Sequence, residues 1–432
     1  MRIEDTDRER STKEAVQVIF DSLNWLGLEP DAAPVFQHAR ADRHREAVQQ
    51  LYDAGRAYRC YMTVEELEVE RTRARAEGRA VRSPWRDREP PIGANLPFVL
   101  RFRGPKDGET IVNDLVKGPV TFANKELDDL VLLRSDGAPT YNLAVVVDDH
   151  DMGITHVIRG DDHLNNAARQ SLIFEALGWE KPAFAHLPLI HGPDGAKLSK
   201  RHGAQAVSEF ANMGYLPEAM RNYLARLGWG HGDDEIFSDA QAIDWFDVAN
   251  VVSAPARLDW QKLNFINGQY IRAADDERLT RLTADVHRGR GVVVDETALA
   301  RAIPLVKDGA KTILELADLT LFVLKPRPLT LDEKTLGQLS EETRALLSRL
   351  RENLAGETDW THDVLARRLR DFAETEGVGM GKFGPALRGL LSGGAAAPDL
   401  ASALAALARD ESLGRFDDAL SPSRQDAIKQ SR

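Results

Sequence analysis

Two lysines three residues apart stand in the string Lys197-Leu198-Ser199-Lys200-Arg201, directly after a Gly192-Pro193-Asp194-Gly195 turn that closes a strand pattern. Ammonium groups on such a loop suit a reaction in which negative charge builds on a transferring phosphate. Donors aimed at the developing charge lower the barrier, with Mg²⁺ assisting. Alone, K-x-S-K also occurs on solvated loops, so its companions decide its meaning. A second cluster, Asp148-Asp149-His150-Asp151, has the residue types of a metal box, but it follows an apolar run read as a strand. Capping and loop solvation explain carboxylates there at least as well. A third feature is basic: the seven arginines 71, 73, 75, 79, 82, 86 and 88 are opposed within that stretch only by Glu77 and Asp87. Such a stretch is either a phosphate-binding strip or a solvated helix face.

These features sit in a chain of 432 residues, 43% apolar and 29% charged, which at about 100–200 residues per domain implies two to four domains. The net charge of −12, from 56 basic and 68 acidic residues, disfavours nonspecific adhesion to nucleic acid or anionic lipid and makes the basic stretch a local exception. Cys60 is the single cysteine, which excludes an internal disulfide framework and a multi-thiolate zinc site. No apolar run approaches the roughly 18 residues of a membrane helix, and Arg2-Ile3-Glu4-Asp5 is charged where an export signal needs an apolar core. The expectation is a cytoplasmic protein with no membrane partner.

The elements that must position these residues follow from periodicity. Ser11 and Glu14 have capping-box spacing ahead of Val16, Ile19, Leu23 and Leu26 at helical intervals, with Gly27 as the stop. A second helix is expected over about 42–52, ending at Gly55. A charged helix (about 64–77) and short strands at 98–103 and 119–122 suggest an inserted α+β subdomain. Then come a buried strand at 143–147, a strand at 155–158, a helix over about 165–177 stopped by Gly178, and a strand at 187–190. Strand–helix–strand order favours a parallel sheet. From about residue 275 onward strand signals nearly vanish, and amphipathic segments such as 364–372 and 400–407 predict a helical region.

The Lys197–Arg201 string resembles the KMSKS signature loop of class I aminoacyl-tRNA synthetases, and it has companions. Residues 2–8, Arg-Ile-Glu-Asp-Thr-Asp-Arg, resemble the corresponding block of bacterial glutamyl-tRNA synthetases. Residues 139–150 (PTYNLAVVVDDH) and 156–163 (HVIRGDDH) are similar to two further blocks of that family, in order, and a likeness continues through Asp259-Trp260-Gln261-Lys262-Leu263. The resemblance implies a multidomain α/β plus α protein: a Rossmann-like class I catalytic domain (1–52 and 141–195) with an inserted α+β acceptor-binding subdomain (53–140). A signature-loop and tRNA-stem-contact domain (196–275) and an all-α anticodon-binding region (276–432) follow. It implies a glutamate–tRNA ligase with glutamate, ATP with Mg²⁺ and tRNA(Glu) as partners, acting as a monomer. Lys197 and Lys200 would stabilise the reacting phosphates, and Lys200 and Asp162 would contact ATP.

Recognising free glutamate requires a cation for its side-chain carboxylate and an acceptor for its ammonium in a partly desolvated pocket. Arg159 can be the cation, Glu4 the acceptor and Tyr141 the orienting hydroxyl. Arg73, Arg75 and Arg79 are the candidates for tRNA backbone contact. Cys60 stands alone beside Met62, so no zinc is expected.

In the resembling family a strand and helix bearing an H-x-G-H signature precede the first block, whereas this sequence begins at Met1 inside it; His38, His44 and His191 do not form that pattern. The expectation is a longer product that carries the segment, the alternative being a non-catalytic tRNA-binding or regulatory paralogue. A glutamyl-queuosine ligase would lack the helical region, and a glutaminyl enzyme would carry β-barrels there. Purified 1–432 and a form extended upstream through an H-x-G-H segment should bind tRNA alike, while only the extended form makes glutamyl-adenylate. Full adenylation by the shorter form would show that segment to be dispensable.

Overall fold

In the computed structural model, residues 1–6, 11–89, 96–198 and 206–421 are described, and the chain divides into two units: Met1–Ser208 with Leu224–Leu258, and Glu209–Tyr223 with Asp259–Arg432.

The first unit is built on a four-stranded sheet. His156–Gly160 pairs in parallel with Ala183–Leu187, placing Arg159 opposite His186. Parallel neighbours need a crossover; the helix Leu164–Leu177 supplies it and ends at Gly178, whose φ of 73° is a left-handed turn suited to glycine. On the other side of Ala183–Leu187 lies the antiparallel hairpin Glu109–Asp114 and Gly118–Ala123, joined where Asp114 faces Phe184. The sheet is therefore mixed. Its parallel part matches the expected strand–helix–strand order, and the hairpin comes from the segment between. A separate three-stranded antiparallel sheet is formed by Ala57–Cys60, Val99–Phe102 and Val131–Leu133.

Three local expectations are corrected. The run 143–147, expected as a buried strand, lies within the helix Tyr141–Asp151. Leu143 through Asp149 are all buried in it, with Leu143, Val146 and Val147 packed among Ala47, Val48, Leu51, Ile173 and Phe174. A helix covered all round has no polar face to imprint a 3.6-residue period, so its short apolar run is indistinguishable from a buried strand. The strand expected at 187–190 is two strands, Ala183–Leu187 and Ile190–His191, separated at Pro188, which has no amide hydrogen for a ladder. The first helix, Lys13–Trp25, is capped by Thr12 rather than Ser11: Thr12 Oγ1 accepts from the Ala15 amide at 3.2 Å. That helix buries none of its own residues. The second and third helices, Ala41–Asp53 and Val64–Ala76, lie where the sequence places them.

The second unit is helical throughout its described residues. Its core is leucine-rich, with Leu347, Leu350, Leu365, Leu387, Leu404, Phe383 and Phe416 in one cluster. Arg415 is buried there, and its guanidinium donates to the carbonyls of Phe322 and Lys325, each at 3.0 Å, which replaces its lost hydration.

One buried carboxylate ties the first unit together. Asp148 Oδ2 accepts from Gln37 Nε2 at 3.0 Å, and Oδ1 accepts from Arg40 Nε at 2.6 Å and bonds His44 Nε2 at 2.9 Å. Burial alone would raise this carboxyl, but the bonds from His44, Arg40 and Gln37 hold it below the ordinary carboxylate range. A depressed folded pKa contributes stability above the unfolded value that is lost as pH falls through the folded one. Asp148→Ala should therefore cost about 3–5 kcal/mol near neutral pH, the scale of breaking a buried pair. Chemical denaturation should show the deficit shrinking toward acid; a small, pH-independent loss would contradict this role.

Candidate active site

A cavity of about 830 Å³ runs along the whole strand His156–Gly160, all five of whose residues line it together with Glu4, Tyr141, Asp149, Asp162 and His163. Its part around Arg159 and His163 lies at the carboxyl end of that strand, where α/β sheets usually hold ligands. Arg159 is the penultimate residue of its strand, Tyr141 the first of its helix, Glu4 follows the short strand Arg2–Ile3, and Asp162 lies in the 3₁₀ turn Asp161–His163.

Arg159 is held by neutral groups. Its Nε donates to His186 Nε2 at 3.2 Å, and its Nη2 donates to Gln170 Oε1 at 2.9 Å and weakly to the His163 carbonyl at 3.4 Å. It has no salt bridge among the described residues, and Asp149 acts on its half-buried charge only from beyond ion-pair distance. Besides Asp162, the lining holds the carboxylates of Glu4 and Asp149, which share Arg2: its Nη2 is 3.2 Å from Glu4 Oε1 and 2.7 Å from Asp149 Oδ1. Burial pushes the Asp149 carboxyl above its ordinary value despite Arg2. Burial also raises the Tyr141 hydroxyl, with Glu4 adding to the effect and Arg159 opposing it, so the phenol stays protonated near neutral pH. One unpaired cation, a carboxylate pair and a phenol donor form a receptor for a small zwitterion carrying an additional negative group.

Asp149, His163, Gln170 and His186 are site residues that the sequence reading missed. Asp149 had a signal: Tyr141, Val145 and Asp149 recur at helical intervals of four and all line the cavity. The acidic cluster expected as solvated loop carboxylates is instead the end of this helix. Asp148 and Asp149 are buried, and Asp151 pairs with Arg40 and Arg43 at 2.6 and 3.0 Å. Among the described residues no group of three or more His, Cys, Asp or Glu could hold a metal ion. Cys60 is buried with its Sγ 3.1 Å from Ser83 Oγ.

The loop of lysines begins beside this cavity. Ile190–His191 pairs with Ala256–Arg257, the chain turns at Gly192–Ala196, and Leu198 N returns to the Ile190 carbonyl at 3.1 Å. Lys197 Nζ thereby comes 3.3 Å from Asp162 Oδ2, with both side chains substantially exposed, a pairing worth little to stability. Lys200 lies outside the described residues, as do Ser199, Arg201, Asp7 and Arg8.

The arginine stretch 71–88 is not one surface. Arg86 is buried, donating to Asp129 Oδ1 and Oδ2 at 2.7 and 2.8 Å, and Tyr58 donates to the same carboxylate at 2.9 Å. Arg82 donates to the carbonyls of Pro105, Asn124 and Leu127. These two support the insert's core and leave the strip. Arg73 and Arg79 share Glu77, whose carboxyl their bonds hold below the ordinary range, and Arg79 also meets Glu70 at 2.8 Å. Arg75 is exposed.

The helical unit has a cavity of its own, about 770 Å³, lined by His362, Arg367, Arg370, Arg388, Met380 and Asp399 among others.

The family model described as class I tRNA synthetases (E and Q), catalytic domain, matches residues 1–265, and that of an anticodon binding domain matches 277–420. A glutamate–tRNA ligase of Caulobacter vibrioides is 67% identical over 425 residues, covering 98% of this chain and 90% of that protein. One from Phenylobacterium zucineum is 68% identical over 426 residues, covering 98% and 91%. Among solved structures, a glutamate tRNA ligase from Elizabethkingia meningosepticum in complex with its amino acid aligns with a TM-score of 0.83 at 31% identity, covering 97% of this chain and 91% of that one.

Proposed function

From the premise that this chain belongs to the glutamate–tRNA ligases of the class I aminoacyl-tRNA synthetases, we propose that its cavity activates glutamate with ATP and passes it to tRNA(Glu). The observation that carries the reading is the Arg159 guanidinium, without a salt bridge among the described residues and held by neutral acceptors near the carboxyl end of a parallel strand. A bidentate cation there takes the side-chain carboxylate of glutamate. Glu4, with Asp149 behind Arg2, takes the ammonium, and the Tyr141 hydroxyl donates a further bond.

Catalysis in this scheme is positioning and charge stabilisation. The α-carboxylate of glutamate attacks the α-phosphorus of Mg²⁺-bound ATP, a bond to pyrophosphate breaks, and glutamyl-adenylate results. Lys197 and Lys200 stabilise the charge that spreads over the phosphate oxygens, and Asp162 and Lys200 contact the nucleotide. A hydroxyl of the 3′-terminal ribose then displaces AMP from the acyl carbon. No covalent protein nucleophile is required.

For the RNA, the insert (53–140) contacts the acceptor end through Arg73, Arg75 and Arg79, 196–275 follows the stem, and the helical region (276–432) reads the anticodon. The arginine-lined cavity of the helical unit supports that last assignment, since unpaired bases are read by stacking and by hydrogen bonds to their edges. The enzyme acts in the cytoplasm as a monomer; no helix among the described residues is long and apolar enough to cross a membrane.

Arg159→Ala tests the amino-acid assignment directly. In the adenylate-forming protein it should raise the glutamate requirement by about 2–5 kcal/mol in kcat/KM, as expected when one partner of a buried charge pair is truncated, and leave the KM for ATP unchanged. Unaltered glutamate kinetics in pyrophosphate exchange would remove Arg159 from this role.

Changing Arg73, Arg75 and Arg79 together to Gln should weaken tRNA binding and flatten its log–log salt dependence by up to about 0.7–0.9 for each phosphate that is no longer neutralised, whatever the anticodon. A salt slope equal to the parent's would return these arginines to their pairing with Glu70 and Glu77.

A further inference from the structure

Arg159 is aimed by groups beneath the cavity floor. His186, opposite it on the adjoining strand, is fully buried, and its Nε2 accepts from Arg159 Nε at 3.2 Å. The other ring nitrogen, Nδ1, lies 2.6 Å from Oδ2 of Asp114, whose side chain is equally buried. Nε2 accepts only when it carries no proton, so the ring is neutral and Nδ1–H donates to the carboxylate. Burial lowers the basicity of His186 and Arg159 adds to this, while Asp114 and the His163 backbone oppose it, and the net shift is downward.

Asp114 is itself immobilised. Its Oδ1 accepts from the amides of Val116 at 3.0 Å, Lys117 at 2.9 Å and His186 at 3.1 Å, so only Oδ2 faces the ring. Those amides belong to the turn of the hairpin Glu109–Asp114 and Gly118–Ala123 and to the strand Ala183–Leu187. The same turn sends Lys117 Nζ to Asp161 Oδ2 at 2.9 Å and to the Ser253 carbonyl at 2.8 Å. On its far side the guanidinium is gripped by Gln170, whose Nε2 donates to Asn142 Oδ1 at 3.0 Å.

We infer that Asp114 and His186 are a positioning pair for amino-acid recognition: Asp114 sets the His186 tautomer, and His186 sets the direction in which Arg159 presents its charge to the substrate carboxylate. The inference rests on Arg159 being the glutamate clamp. An arginine on a long rotatable stem loses affinity unless its orientation is fixed beforehand, and a salt bridge to an acid would fix it only by neutralising it. A neutral imidazole acceptor orients the cation and leaves its charge for the ligand. A buried carboxylate holds that imidazole in the required tautomer, by the same logic that orients the histidine of a catalytic triad.

The decisive variant is Asp114→Asn, which conserves shape. Because Oδ1 meets three amide donors, the Asn oxygen must remain there and its NH₂ group takes the place of Oδ2. It then donates to His186 Nδ1, moves the ring proton to Nε2, and sets N–H against N–H at Arg159. In the adenylate-forming protein, the KM for glutamate in pyrophosphate exchange should rise about 10-fold or more, the scale of losing a hydrogen bond to a charged group, while the KM for ATP stays at the parent value. His186→Leu, which removes the acceptor, should behave alike, and His186→Gln, which returns an oxygen acceptor near Nε2, should restore most of the glutamate affinity. Folded Asp114→Asn with an unchanged glutamate KM would overturn the pairing, as would equal defects in His186→Leu and His186→Gln. If Asp114→Asn does not fold, the Leu and Gln variants decide. Arg159→Ala measured alongside separates the two readings: a glutamate defect there with none in Asp114→Asn removes only the positioning pair, whereas no defect in Arg159→Ala removes the clamp and the pair together.

Discussion

Asp148 is a carboxylate without access to water, and such a group is tolerated only where donors replace its hydration. Gln37, Arg40 and His44 do so, and through them the 3₁₀ turn Gln37–Arg40 and the helix Ala41–Asp53 are fixed to the helix Tyr141–Asp151. That helix presents Tyr141, Val145 and Asp149 to the cavity, and Asp149 in turn anchors Arg2 and, through it, Glu4. The position of one wall of the site therefore depends on a buried charge that never touches a ligand. Neighbouring side chains on the same helix serve the core and the site respectively, because adjacent residues on a helix point about 100° apart.

Arg159, in the same cavity, treats charge in the opposite way. It is offered neutral acceptors and no acid within ion-pair distance among the described residues, so the hydrogen bonds that orient it do not spend its charge. Asp114 could have been such an acid, but His186 stands between them. An enzyme that must bind a carboxylate has reason to keep its cation unpaired until the ligand arrives, since a resident salt bridge would have to be broken and desolvated anew. The contrast between Asp148, satisfied completely, and Arg159, satisfied only in geometry, is the one expected between a structural charge and the proposed receptor charge.

The same distinction divides the arginine stretch. Arg86 is consumed by Asp129 and Tyr58, and Arg82 by backbone carbonyls, so both hold the insert together. Arg73, Arg75 and Arg79 stay near the surface, where Glu70 and Glu77 lower the local potential without burying the cations. Exposed pairs of that kind are weak, which is compatible with the proposed RNA contact within an acidic protein.

Much of this was legible in the order of residues. The helices at 41–53, 64–76, 164–177 and 400–407, the strand that precedes 164–177, and the convergence of Glu4, Tyr141, Arg159 and Asp162 all follow from local periodicity and from blocks whose spacing resembles a family's. Local periodicity records which face of an element meets water, so it failed where no face does: the helix through 143–147 is covered on all sides and reads as a strand. It also could not distinguish Arg86 from Arg75, since an arginine has the same local signature whether its partner is water or an aspartate 43 residues away. Asp114, His186 and Gln170 bear no motif that marks them; strand pairing sets His186 against Arg159 with Asp114 behind it, and the crossover helix brings Gln170 to the other side. Residue type and spacing determined which groups were available for the chemistry; the tertiary structure alone decided which charges are neutralised and which are left free, because electrostatic partnership depends on distance in space and on burial, neither of which a linear sequence contains.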